Sequence, residues 1–132
     1  MIDERPLTGE EREELREATT SVDLPDLEAL AGLLEAVAEG EVAPDDELTF
    51  RLGAWWGQQV RAATGWKWVH LRLGEGLEAP ALVDGDRSVA LLPLQLVATA
   101  LEGEGPDLVR ILERLRRGDR PTGAPGTYAL VG

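Results

Sequence analysis

Hydrophobic residues recur every three or four positions in the first third of the chain, which is the spacing of helices that bury one face. Thr8 and Glu11 form a capping-box pattern that predicts a mostly charged helix over 9–20. A second helix is predicted between Asp23, as its N-cap, and Gly40. The apolar stripe expected along this second helix consists of Leu27, Leu30, Ala31, Leu34, Val37 and Ala38.

A third predicted helix begins at a cap on Asp45 or Asp46 and ends near Gly65. Its apolar residues surround the axis, which is typical of a central helix that is covered by its neighbours. Gly53 and Gly57 are four positions apart and therefore share one face. A glycine inside a helix costs about 1 kcal/mol relative to alanine. We therefore expect a second backbone to approach this face closely.

Beyond Gly65 the apolar period changes from about 3.6 to two, which predicts strands. Val69, Leu71 and Leu73 alternate with Trp68, His70 and Arg72 in the first of them. Two further strands, over 79–83 and 87–91, flank the turn Asp84-Gly85-Asp86, where glycine can adopt the positive φ that tight hairpins require. These three strands predict a small antiparallel sheet.

Pro93 is expected to open a buried helix over 94–101, and Gly105-Pro106-Asp107 to begin a last helix that Gly118 ends. The predicted fold class is therefore α+β, with about five helices packed against the three-stranded sheet. We expect a single domain over 1–118, in which 1–44 form an acidic helical part and 45–118 a helix-sheet-helix core. Residues 119–132 are expected to be an irregular tail.

Charge is distributed unevenly over the 132 residues, whose net charge is −12. Residues 1–49 carry 16 acidic side chains and 3 arginines, a net −13, whereas the remainder is close to neutral. Such a surface disfavours nucleic acid, which binds through cations, and suits a basic protein partner or simply maintains solubility. The absence of cysteine excludes disulfides and thiolate chemistry. With no signal peptide or long apolar segment visible, we expect a cytoplasmic protein that does not enter the membrane. Twelve arginines against one lysine are typical of GC-rich bacterial genomes.

All four tryptophans lie within fourteen residues, so most of the aromatic surface is concentrated there. We expect Trp55 and Trp66 to belong to the core, whereas Trp56 and Trp68 suit either a core or a binding pocket. The sequence-based ligand-binding set is Trp56, Trp68, His70 and Arg72. His70 is the only histidine, so a metal site with several imidazole ligands is impossible.

No catalytic, calcium, dinucleotide or phosphate-loop pattern is complete in the sequence. We therefore predict neither a metal nor a cofactor and do not expect an enzyme.

The segment 48–102 resembles a group of small uncharacterised bacterial proteins. In that group a helix of the form L-G-x-aromatic-x-G-[EQ] leads to G-x-W, a short hairpin and a helix that begins with proline. Here Leu52-Gly-Ala-Trp-Trp-Gly-Gln58 supplies the helix motif, Gly65 with Trp66 and Trp68 follows, and Pro93 opens the later helix. The chain carries Gln58 where the glutamate version is expected. The resemblance implies a fold and no particular activity.

The sequence favours a non-catalytic protein-interaction module, similar to an immunity or adaptor protein, that binds through its acidic helices. The carboxylates expected to contact the partner are Glu13, Glu17, Glu28, Glu35 and Glu39. The alternative is a small-molecule-binding module that uses the Trp, His and Arg side chains of the first strand.

Overall fold

The computed structural model describes residues 2–23, 26–74, 76–103, 107–119 and 123–131. The helices are α1 (Gly9–Thr20), α2 (Leu27–Ala38), α3 (Asp46–Thr64), α4 (Pro93–Leu101) and α5 (Leu108–Arg116). The strands are β1 (Asp3–Arg5), β2 (Lys67–Gly74), β3 (Leu77–Val83), β4 (Val89–Leu91) and β5 (Ala129–Leu130). For the described residues, the α+β class and the five helices are therefore confirmed, whereas the sheet is larger than expected.

The five strands form one mixed sheet in the order β1-β2-β3-β4-β5. The three predicted strands form its centre and pair antiparallel, and β1 adds an antiparallel edge. At the other edge β5 lies parallel to β4, so part of the segment expected to be irregular is a strand. The expectation of a three-stranded antiparallel sheet was wrong because β1 has only charged side chains and β5 only two residues. Neither carries an alternating pattern, and each is defined by pairing to an edge that already exists.

Side-chain caps fix where α1, α2 and α3 begin. Thr8 and Glu11 make the predicted capping box of α1. The cap of α2 is Asp26, which accepts a hydrogen bond from the amide of Ala29, and not Asp23 as predicted. Asp45 caps α3, and Gly65 ends it with a left-handed φ of 76°. In each case a carboxylate or hydroxyl satisfies an amide that has no partner within the helix.

The main core lies between the helices and one face of the sheet. Buried residues of α2, α3, α4 and α5 pack there against Leu82, Val89 and Leu91. Trp55 and Trp66 belong to this cluster, as expected. Every residue from Leu52 to Gly57 is buried, which confirms that α3 is the central helix.

The stripe that α2 buries differs from the predicted one. Leu30 and Val37 are buried, and Leu33 and Leu34 are half-buried, whereas Ala31 and Ala38 are exposed. The larger leucines and valine bury more apolar surface than the alanines, so they set which side of the helix faces inward. The side chain of Leu27 and residues Gly105 and Pro106 lie outside the described residues.

The two glycines of α3 mark its closest contacts with other elements. A Cβ atom on Gly53 would lie 2.3 Å from Cδ2 and 3.1 Å from Cα of Leu94, so the α4 backbone does approach α3 there. A Cβ on Gly57 would lie 2.6 Å from the Trp68 ring and 3.0 Å from the Pro93 ring. The expected close backbone contact is present at Gly53, whereas Gly57 mainly leaves room for an indole from the sheet.

The second face of the sheet is buried without a helix over it. Its cluster consists of Val69, Leu71, Ala79, Ala81, Val83, Ala90 and Leu92, and no residue from within the described helices belongs to it. Glu4 of β1 nevertheless accepts a hydrogen bond from the Tyr128 hydroxyl, at 3.0 Å, beside the opposite edge strand. In a flat sheet these edges would lie roughly 19 Å apart, farther than the two side chains reach together. The sheet is therefore curled, and its alanine, valine and leucine side chains fill the concave side.

The turn between β3 and β4 takes its left-handed residue at Arg87, with φ of 56°, and not at Gly85 as predicted. As a result β4 begins at Val89, two residues later than expected. A left-handed residue other than glycine costs about 1–2 kcal/mol. The Arg87 guanidinium offsets this cost because it donates two charge-assisted hydrogen bonds to Glu4, at 2.6 and 3.0 Å.

We predict that Gly53→Ala lowers the free energy of unfolding by about 1–3 kcal/mol, because the added methyl group overlaps Leu94. Gly32→Ala is the matched control, since Gly32 is an exposed position within α2 and a Cβ there would meet nothing within 4 Å. That control is expected to gain up to about 1 kcal/mol from helix propensity. Urea unfolding of the three proteins measures both effects. Equal gains in the two variants would show that α3 and α4 are not in close contact at Gly53.

Candidate functional site

A cleft of about 560 Å³ lies between α1, α3 and the start of β2. It is lined by four cationic side chains, two polar ones and three apolar ones: Arg12, Arg16, Arg61, Lys67, Thr19, Gln58, Leu7, Leu15 and Trp68. No acidic residue of the described chain lines it, although the protein carries nearly twice as many acids as bases. The cleft is therefore an electropositive site on an acidic protein.

Helix geometry brings the cations together. Arg12, Arg16 and Thr19 follow the spacing i, i+4, i+7 and therefore lie on one side of α1. Gln58 and Arg61 are three residues apart and share one side of α3. The acids Glu10, Glu13, Glu14 and Glu17 fall on the other side of α1, away from the cleft. Apart from the pair Arg16–Glu13, positive and negative side chains therefore lie on different sides of α1.

Three of these four cations form no ion pair with the residues that the structure describes. Arg16 is the exception, because its guanidinium donates two hydrogen bonds to Glu13. Within the described residues, Arg12, Arg61 and Lys67 take part in no ion pair. Like charges that converge without counterions repel one another, and a bound anion would relieve that repulsion.

Trp68 connects the cleft to the core. Its indole lies against Gly57 of α3 and packs on both the main core and the small cluster of Leu7, Leu15, Ala18 and Ala54. It is half-buried, so some of the side chain lines the cleft. The cleft consequently has an apolar floor beneath its cationic rim.

A second, smaller pocket of about 250 Å³ lies along β1 and β2. Its lining residues are Asp3, Glu4, Arg5, His70, Arg72 and Glu78. The imidazole of His70 lies between two carboxylates, with Nδ1 3.5 Å from Glu11 and Nε2 3.7 Å from Glu78. Nδ1 is buried and makes no hydrogen bond with any residue that the structure describes.

Glu11 is the most strongly perturbed carboxylate near this pocket. It accepts hydrogen bonds from the Arg5 guanidinium at 2.7 Å and from the Thr8 amide at 2.9 Å. These bonds, led by the one from Arg5, lower the pKa of Glu11 from 4.5 to about 2. The same carboxylate caps α1, binds the end of β1 and lies beside His70 of β2, so it fixes α1 to the edge of the sheet.

The predicted ligand-binding set does not form one site. Trp56 is fully enclosed, and its indole nitrogen donates to the Leu108 carbonyl at 3.2 Å. A side chain with no exposed surface cannot contact a ligand. Trp56 is therefore a core residue, and its predicted place in the ligand-binding set was wrong. Trp68, His70 and Arg72 share one strand face as expected, but Trp68 lines the large cleft whereas His70 and Arg72 line the small pocket.

The five predicted partner-binding carboxylates are all exposed, but they form two groups. Glu13 and Glu17 lie on α1, which packs against α3. The other three belong to α2 and its C-cap, and α2 packs against α4 and α5. Because the two helices use different neighbours, the acidic segment over residues 1–44 does not present its carboxylates as one packed helical unit.

The cationic residues of the cleft were not predicted from the sequence. The sequence does contain the helical spacing of these residues, at positions 12, 16 and 19 of α1 and at positions 58 and 61 of α3. The many acidic residues of α1 made that spacing hard to recognise. Only the packing of α1 on α3 shows that the two rows face the same space.

Comparisons with protein-family models, with curated proteins and with solved structures gave no match. The resemblance to the group with the L-G-x-aromatic-x-G-[EQ] helix therefore stays a prediction. In the described portion of the chain, no group of three or more His, Cys, Asp or Glu side chains could hold a metal ion. None of the described helices is long and apolar enough to span a bilayer.

We predict that Glu11→Gln lowers the free energy of unfolding by about 1–2 kcal/mol at neutral pH, because it removes the charge that binds Arg5. Since the folded-state pKa of Glu11 is lowered, its contribution is complete above about pH 4.5 and disappears as the pH falls towards about 2. Urea unfolding over this range should show the two proteins converging in acid. Glu14→Gln changes the net charge equally without touching Arg5 or Thr8. A constant gap between Glu11→Gln and the unmodified protein would contradict the assignment.

Proposed function

We propose that this protein is a non-catalytic, cytoplasmic protein-interaction module, similar to an immunity or adaptor protein, that binds a basic partner through exposed carboxylates. The observation that carries the proposal is the row formed by Glu28 and Glu35 on α2 and Glu39 at its C-cap. All three are exposed and form no ion pair with the described residues. Their spacing of seven and four residues aligns them along one side of the helix.

The charge of this row is available to a partner because it lies opposite the buried stripe of α2. Leu30 and Val37 point to the core, about half a turn away from Glu28 and Glu35. Carboxylates without internal counterions attract a cationic surface, increase the rate of encounter and reject acidic competitors. In the separate group on α1, Glu17 is exposed and forms no ion pair with the described residues, whereas Glu13 is already paired with Arg16.

The proposal predicts a partner whose binding weakens as salt rises, since exposed charges are screened within about 8–10 Å at physiological ionic strength. The tagged protein is used to capture partners from lysate of its source cells, at low and at high salt. Glu28→Gln/Glu35→Gln should reduce capture of a basic partner at least several-fold, and Glu13→Gln/Glu17→Gln tests the α1 group separately.

The matched control is Glu102→Gln/Glu113→Gln, which removes the same charge from exposed positions outside α1 and α2. This control should capture the partner normally. Capture that survives both acidic-helix variants and does not change with salt would overturn the proposal.

Small-molecule binding is the second candidate function, and the cleft at Trp68 is the observation that favours it. An apolar floor with a few polar groups around it is the usual form of a ligand site. The contribution expected from His70 and Arg72 does not belong to this candidate, because the two residues line the other pocket.

A further inference from the structure

We propose that the cleft between α1, α3 and β2 binds an organic phosphate, meaning a small molecule that carries at least two negative charges beside an apolar or aromatic group. This inference rests on the small-molecule candidate and gives it a location and a ligand class. It is independent of the acidic row on α2, because the two surfaces share no residue.

The size of the cleft suits a metabolite. Ligand pockets generally measure about 300–1,000 Å³, and this cleft measures about 560 Å³. Cations from three different elements surround this one space: two arginines from α1, one from α3 and Lys67 at the start of β2. A compact group with several charges that enters this cleft would have cations from more than one element beside it. An acidic peptide, by contrast, would distribute its charges along a line at about 3.3 Å per residue.

The type of cation also favours phosphate. Three of the four are arginines, and the planar guanidinium fork presents paired N–H donors that match phosphate oxygens. Arg12 and Arg61 lie on opposite walls and have no acidic partner in the described chain, so their donors are available. The Thr19 hydroxyl and the Gln58 amide add neutral hydrogen-bonding groups to the same walls.

The remaining lining explains why the ligand should carry an apolar group. Leu7, Leu15 and Trp68 form a hydrophobic floor, and the exposed portion of the indole offers a surface for a flat ring. Inorganic phosphate would leave that floor uncovered. A nucleoside diphosphate, with a ring at one end and charge at the other, is therefore the simplest probe with both features.

Isothermal titration of the full-length protein with ADP, pyrophosphate, adenosine and a poly-glutamate peptide tests the proposal. We expect ADP to bind more tightly than pyrophosphate, and adenosine to bind at least tenfold more weakly than ADP. Arg12→Gln/Arg61→Gln should weaken ADP binding at least tenfold. The matched control, Arg110→Gln/Arg117→Gln, removes the same charge from exposed positions on α5 and its C-cap, outside the cleft, and should bind ADP normally.

Three outcomes would overturn the inference: no binding of ADP or pyrophosphate at low millimolar concentration, equal weakening by the α5 control, or tighter binding of poly-glutamate than of either phosphate. Thermal unfolding checks that the variants are folded, which we expect because Arg12 and Arg61 are exposed and form no ion pair with the described residues. The partner-capture experiment uses other residues, so failure of either proposal can be recognised separately.

Discussion

Two glycines set how closely α3 lies against α4 and against the sheet. At Gly53 the absence of a side chain lets the α4 backbone lie against α3. One turn later, Gly57 leaves the space that the Trp68 ring occupies. Each glycine weakens the helix by about 1 kcal/mol, and the close packing that it permits offsets this cost. Through these contacts a single helix holds both α4 and the sheet.

Trp68 packs on the core and also lines the surface cleft. Its indole packs between α3 and the small cluster that contains Leu7 and Leu15, so the floor of the cleft belongs to the hydrophobic core. The cleft-lining side chains of α1 and α3 therefore surround a floor that is part of the packed core. A binding site built on packed helices keeps its geometry better than one built on loops. The acidic row of α2, in contrast, lies on a helix with neighbours of its own, and the two surfaces can act independently.

Much of the fold could be predicted from local patterns. The helix periods, the caps at Thr8 and Asp45, the αL end at Gly65 and the alternation after it each depend on neighbouring residues only. The pairings that failed depend on residues distant in sequence. β1 becomes a strand only beside β2, and the left-handed Arg87 binds Glu4, which lies more than eighty residues earlier. No local rule contains that information.

The same distinction applies to the candidate sites. Composition correctly indicated exposed carboxylates and a tryptophan-rich centre, but it could not separate Trp56, which is enclosed, from Trp68, which lines a cleft. Both are plausible from spacing alone, and the packing of α5 against one of them decides the outcome. The cationic cleft is likewise a tertiary feature, because its side chains come from α1 and α3, which are far apart along the chain.

The Trp68 ring occupies the space that a side chain at position 57 would need, which explains why this residue is glycine. A double-mutant cycle of Gly57→Ala and Trp68→Leu, measured by urea unfolding, tests that contact directly. We expect Gly57→Ala to be costly when Trp68 is present and much less costly in the Trp68→Leu background, with a coupling energy of at least about 1 kcal/mol. Additive effects of the two substitutions would show that the ring and the glycine are not in contact.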